Sequence, residues 1–330
     1  MLYRTAANGT LLRDGRVLIL HYNLHPAEIY DPASGMFNAA NLPGTPYGDW
    51  GVALPDGRVL IMYADDANSV DNKAEIFDPA TNTVTASGSV GGRHDFGTVA
   101  VLADGRVLFL GGIDGGHSVA AADIFDPATG KFGPTGAMTT AREGQTATLL
   151  ADGRVLVTGG EEFSPNSSSR YLSSSEIYDP KTARFTPTGS LIEPRTDAVD
   201  VMLPDGCVMI MGGAISNDGR LIASNTAELF DPATGKFTRT GSMSSSRYDF
   251  SATLLKNGRV LVAGGMDADG HLLASAELYD EATGQFTPTG SLAEPQLGGI
   301  STTLLPDGRV LLLGQDLSDR WAPSPELYWP

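Results

Sequence analysis

The sequence predicts an all-β fold: a seven-bladed β-propeller of four-stranded antiparallel blades, the seventh blade with three strands. Two recurring markers carry this expectation. Asp-Gly-Arg begins at Asp14, Asp56, Asp104, Asp152 and Asp307, with variants at Asp205 and Asn257, and the successive gaps are 42, 48, 48, 53, 52 and 50 residues. After each comes an acidic residue, then Ile or Leu, then Tyr or Phe, from Glu28-Ile29-Tyr30 through Glu75, Asp123, Glu176, Glu228 and Glu277 to Glu326-Leu327-Tyr328. A fixed period near fifty residues is the mark of a repeat architecture.

Each unit resolves into strands in the same order. A run of small and apolar residues, such as Ser251 to Leu255, precedes the Asp-Gly or Asn-Gly pair. That pair signals a tight hairpin, read here as a primed turn with positive φ at both central residues. A wholly apolar run such as Val260 to Ala263 follows and ends in Gly-Gly; a run this short and this apolar fits a strand buried on both faces. After a loop come the acidic-aliphatic-aromatic strand and a Pro- and Gly-bearing turn such as Asp231 to Gly235. A short outer strand closes the unit, carrying Phe37, Phe132, Phe185, Phe237 or Phe286, with Val84 in the second unit. A sheet apolar on both faces cannot bury them alone, and packing in a ring solves this. The blades span about 1–41, 42–90, 91–138, 139–191, 192–243, 244–292 and 293–330, as one domain. No residues remain after Tyr328 for another strand, so ring closure by packing alone is expected.

With these features the chain resembles the bacterial kelch-repeat propellers, in the superfamily of the galactose-oxidase central domain. The resemblance rests on the doublets Gly111-Gly112, Gly159-Gly160, Gly212-Gly213 and Gly264-Gly265 and on the third-strand aromatic, and it covers nearly the whole chain. Phe stands where the family carries an outer-strand Trp. Some members are copper radical oxidases, which implies copper held by tyrosines and histidines, with one tyrosine cross-linked to cysteine. Cys207 is the single cysteine and occupies an Asp-Gly turn on the other face, so that chemistry is not expected.

A net charge of −17 disfavours nucleic acid and anionic membrane as partners. One cysteine excludes an internal disulfide framework. No apolar run is long enough to insert in a membrane, and Met1 to Thr5 opens no signal peptide. A monomer is expected; few lysines and much Ser, Thr and Gly lean towards a secreted protein.

Strand direction places the Asp-Gly turns on one face, with the loops after Gly-Gly and the links between blades on the other. Variable loops on a rigid scaffold are where function concentrates. Arg4, Arg93, Arg142, Arg195 and Arg247 share one repeat position there and are candidates to ring the channel mouth and hold a carboxylate, sulfate or phosphate. The alternative is a structural pairing with loop carboxylates, for which Asp95, Glu143, Asp197 and Asp249 are candidates, or with backbone carbonyls. The repeat breaks in units seven, one and two: His21-Tyr22, Tyr63-Ala64 and Gly314-Gln315 replace Gly-Gly, and Pro46 and Gln296 replace the arginine. The interval from Gly15 to Glu28 is 13 residues, against 18 from Gly57 to Glu75, which predicts a notch on that side. Tyr47, Trp50 and Trp321 are candidate aromatic walls for a glycan, an acidic peptide or another protein. His21, Tyr22, Tyr63 and the channel residue Asp200 are the catalytic candidates if the chain is instead a lyase- or epimerase-type enzyme. His21 and His25 are candidate ligands for a metal ion if the chain turns between them; otherwise no cofactor is expected.

Overall fold

The computed structural model describes residues 7–21, 26–42, 47–64, 73–89, 94, 97–165, 169–217, 220–295, 297–315 and 323–330. All regular structure among them is β. Six four-stranded antiparallel sheets and one three-stranded sheet form the seven blades. Blade 4 is typical: Thr146–Leu149 innermost, then Val155–Thr158, Ser175–Asp179 and Arg184–Pro187, paired in chain order. Blade 7 has Leu297–Leu304, Val310–Gln315 and Pro323–Tyr328.

The core lies between blades. Along the second strand of blade 1, Leu18 and Leu20 pack with Val59 and Ile61 of blade 2, while Val17 and Ile19 pack with Leu311 and Leu313 of blade 7. Alternation with period two thus feeds both neighbours, as a pleated strand dictates. Blades 7 and 1 are neighbours, so the ring closes. Hydrogen bonds join that packing at the seam: Thr303 Oγ1 donates to Gly9 O at 3.2 Å, and Arg309 Nη2 donates to Pro32 O at 2.8 Å. The outer-strand phenylalanines stack on the third-strand aromatics, as in Tyr178–Phe185 at 4.7 Å between ring centroids.

The Asp-Gly turns differ from the primed type. In blade 4 only Gly153 has positive φ, at 88°; Gly153 N donates to Leu150 O at 2.9 Å and Asp152 Oδ1 accepts from Arg154 N at 3.0 Å. The aspartate holds an ordinary backbone conformation because its carboxylate caps the turn from within.

In the second turn of each blade a glycine usually takes the left-handed position, as Gly235 does at φ 67°. Blade 4 has Ala183 there, at φ 54°. A Cβ in that region is strained. Ala183→Gly is therefore expected to stabilise the fold by about 1 kcal/mol, measured as a raised urea midpoint; an unchanged or lower midpoint would show the strain to be absent.

Three small hairpins rise from the opposite face after the Gly-Gly doublets: Ile113–Asp114 with His117–Ser118, Glu161–Glu162 with Arg170–Tyr171, and Ala214–Asn217 with Arg220–Ala223. They build up the rim above blades 3, 4 and 5.

Candidate binding site at the channel mouth

The mouth arginines do not face a ligand. Arg142, Arg195 and Arg247 are 0%, 1% and 0% exposed. Each guanidinium turns into its own blade and spans the first Gly-Gly carbonyl and the third-strand glutamate. Arg195 Nη1 donates to Gly212 O at 2.9 Å and Nη2 to Glu228 Oε1 at 3.0 Å. Arg142 makes the same pair of bonds to Gly159 O (2.6 Å) and Glu176 Oε1 (3.0 Å), and Arg247 to Gly264 O (2.8 Å) and Glu277 Oε1 (2.9 Å). The expectation that these three hold an anion is corrected. The structural alternative stands, though the partner is the marker glutamate and not the carboxylate next in sequence. Arg4 and Arg93 lie outside the described residues.

The same glutamate position explains two catalytic candidates. In blade 1, His21 Nε2 lies 3.2 Å from Glu28 Oε2; in blade 2, Tyr63 Oη donates to Glu75 Oε1 at 2.9 Å. In blade 3, His94 reaches Gly111 O at 2.6 Å and Asp123 Oδ2 at 3.0 Å, a smaller side chain facing a shorter acid. His21 and Tyr63 each engage the marker acid of their own blade, a bond that fits a structural role. Blades 4 to 6 add a further use: the carboxylate caps the incoming link, as where Glu228 accepts from Ile192 N at 2.7 Å and Glu193 N at 3.1 Å.

The doublets and the arginines also join one blade to the next. Gly160 N of blade 4 donates to Arg195 O of blade 5 at 2.9 Å, and Gly112 and Gly213 repeat this to Arg142 and Arg247. Gly160 sits at φ 88°, and a Cβ on it would come within 2.4 Å of Glu143 O. Only glycine allows that approach.

With the cations withdrawn, carboxylates line the mouth over blades 4 to 6. Glu143 and Glu161 are paired through their backbones, N to O at 2.9 and 2.8 Å. Asp197 N donates to Gly144 O at 2.9 Å, bringing blade 5 against blade 4. Asp197 and Asp249, two residues after their arginines, sit in left-handed backbone at φ 50° and 51°. A Cβ on Gly144 would lie 2.2 Å from Thr196 Oγ1 and 2.9 Å from Asp197 Oδ1, so these two side chains fill the space a side chain at 144 would occupy. Glu143 is 3% exposed, and its Oε2 has no hydrogen-bond partner among the described residues. Burial, then the charges of Glu161 and Asp197, pushes the Glu143 carboxyl up to about 8. Burial, then Asp249 and Glu161, raises Asp197 to about 7, while burial raises Asp249 to about 6. Glu161 and the Tyr171 hydroxyl are raised as well, chiefly by burial.

Asp200 lies three residues beyond Asp197, on the innermost strand Val199–Met202. It accepts a hydrogen bond from Thr148 Oγ1 of blade 4, and burial raises its pKa. It joins two blades within the channel. Tyr47 and Trp50 lie in the inner strand Tyr47–Ala53, but their side chains, like Tyr22, His25 and Trp321, fall outside the described residues, and so does most of the predicted notch. Among the described residues, one set of three His or acidic side chains has ligand atoms within 4.8 Å of one another: Asp267, Asp269 and His271, on an exposed turn whose carboxylate already accepts from the Asp269 and His271 amides.

No family model matches the chain, and no curated protein does. Among solved structures it is similar to a fungal alcohol oxidase of the AA5 family in complex with copper, at a TM-score of 0.78 and 16% identity over 99% of this chain and 74% of that one. At that identity the likeness concerns the fold: a propeller shared with an enzyme.

Proposed function

We propose that this chain is a kelch-type propeller that binds a glycan or a peptide segment of a partner protein at the loop face, over blades 4 to 6. The observation that carries this is the set of costly, desolvated carboxylates at the mouth. A fold that tolerates such groups elsewhere pairs them, as it does with Glu176, Glu228 and Glu277. An acidic peptide does not fit this part of the mouth, because Arg142, Arg195 and Arg247 are consumed within blades 4 to 6. The oxidase's copper chemistry does not suit these residues either. Cys207 lies on the Asp-Gly face beside Asp205, and burial and that neighbour raise its thiol to about 11, keeping it protonated. An enzymatic reading retains one support, the enzyme among its structural neighbours, but His21 and Tyr63 are already engaged with their glutamates.

The reading is tested by hydrogen–deuterium exchange while ligands from a panel of neutral glycans, amino sugars and peptides are added. Binding is expected to protect the amides of 143–144, 161–171 and 196–198. Protection confined to the Asp-Gly turns would overturn it.

A further inference from the structure

We propose that the mouth over blades 4 to 6 is a receptor for a positively charged nitrogen, an ammonium or guanidinium group carried by the ligand; the proposal rests on the binding reading above. Three blades contribute carboxylates to one patch: Glu143 and Glu161 from blade 4, Asp197 from blade 5 and Asp249 from blade 6. The Glu143–Glu161 backbone pair and the Asp197–Gly144 bond fix the first three relative to each other. Glu143 Oε2, on a side chain 3% exposed, is held among these acids with no donor from the described residues. A cationic nitrogen supplies that donor as it displaces the proton the carboxyl otherwise keeps.

The spacing selects the kind of cation. A metal ion draws its oxygens to within about 5 Å of one another, since each bond is about 2.4 Å long. Glu143, Glu161 and Asp197 do not form such a set, whereas the exposed Asp267 turn does. An ammonium or guanidinium reaches its acceptors at about 2.8 Å each and so bridges carboxylates farther apart. The Tyr171 side chain, half-buried and under the influence of Glu161 and Asp197, adds an aromatic surface beside the patch. The overall charge of −17 attracts such ligands at long range.

Two sources share this chemistry, an amino sugar and a Lys- or Arg-bearing peptide, and titration calorimetry at pH 7.5 separates them. The probes are a glucosamine trimer, its fully N-acetylated form, a trilysine or triarginine peptide, and acetylated trilysine. The glucosamine trimer or a basic peptide is expected to bind, and its neutralised counterpart to bind at least tenfold more weakly. Which of the two binds identifies the source. Glu143→Gln and Asp197→Asn are each expected to weaken binding tenfold or more. Glu281→Gln, a charge removed on the other face, is expected to leave it unchanged. Circular dichroism melts establish that each variant is folded. Equal binding of charged and acetylated probes, unchanged affinity in Asp197→Asn, or no binding of any probe at millimolar concentration overturns the proposal. A neutral glycan that protects the mouth amides would sink this inference while leaving the binding reading intact.

Discussion

Arg195→Ala is expected to destabilise the propeller by about 3–5 kcal/mol, because it strands Glu228 as an uncompensated charge in the interior. Glu228 is 1% exposed. Arg195 also holds Gly212 O, Thr226 O at 3.1 Å, Thr226 Oγ1 at 2.7 Å and Glu193 Oε2 at 3.1 Å. Burial alone would weaken the guanidinium's hold on its proton, and Glu228 and Glu193 oppose that. Removing both charges together as Arg195→Met with Glu228→Gln is expected to recover half or more of the loss, since Gln keeps an acceptor for the Ile192 and Glu193 amides. Urea unfolding of the two variants decides this. A double variant no more stable than Arg195→Ala would show that the loss is not one of stranded charge.

Stability is expected to peak near pH 5 and to fall between pH 5 and pH 8, with Glu143 alone contributing about 3 kcal/mol of the loss. Glu143, Asp197 and Asp249 have folded-state values of about 8, 7 and 6, above those of an unfolded chain. Across that window the folded protein therefore holds protons that the unfolded chain has released, and stability drops as pH rises through those values. The groups facing Glu143 are Glu161 and Asp197, with Tyr171 and Asp249 next to those, and no cation among the described residues offsets them. On the acid side the sign reverses. The turn aspartates, Asp14 among them through its bond from Arg16, have lowered values, and their contribution is lost as pH falls through those lowered values. Thermal melts of the wild type and Glu143→Gln from pH 4 to pH 9 test this. The variant is expected to flatten the alkaline limb and melt higher at pH 8. Parallel curves would sink the assignment of the alkaline loss to Glu143.

The blades were legible because each is written seven times, and a strand buried on both faces leaves an unbroken apolar run such as Val155 to Val157. The mouth was not, although its residues were in view. Glu143, Asp197 and Asp249 stand beside the arginines in sequence, which makes them candidate partners for those cations. The true partners lie 34, 33 and 30 residues away on the third strand. Left-handed backbone at Asp197 and Asp249 sets the acid apart from its arginine, and φ is invisible in a string of letters. A signal was present: an acidic residue recurs in a strand that is otherwise apolar, and such a residue needs a buried cation. The departures at His21 and Tyr63 stand out in sequence only as breaks in the repeat, yet each bonds to that acid, as His94 does in blade 3. The rim hairpins were missed because two-residue strands such as Glu161–Glu162 are too short to show alternation.

The internal acid of blades 1 to 6 finds its counter-group within the same blade, from His21–Glu28 to Arg247–Glu277. Each of these six acids meets its hydrogen-bond donor inside its own module. Unequal recombination that duplicates or deletes one would leave that third-strand acid still bonded, and the copied Gly-Gly amide would find the same carbonyl waiting on its new neighbour. Gene rearrangement could thus change the number of modules without first repairing the interior.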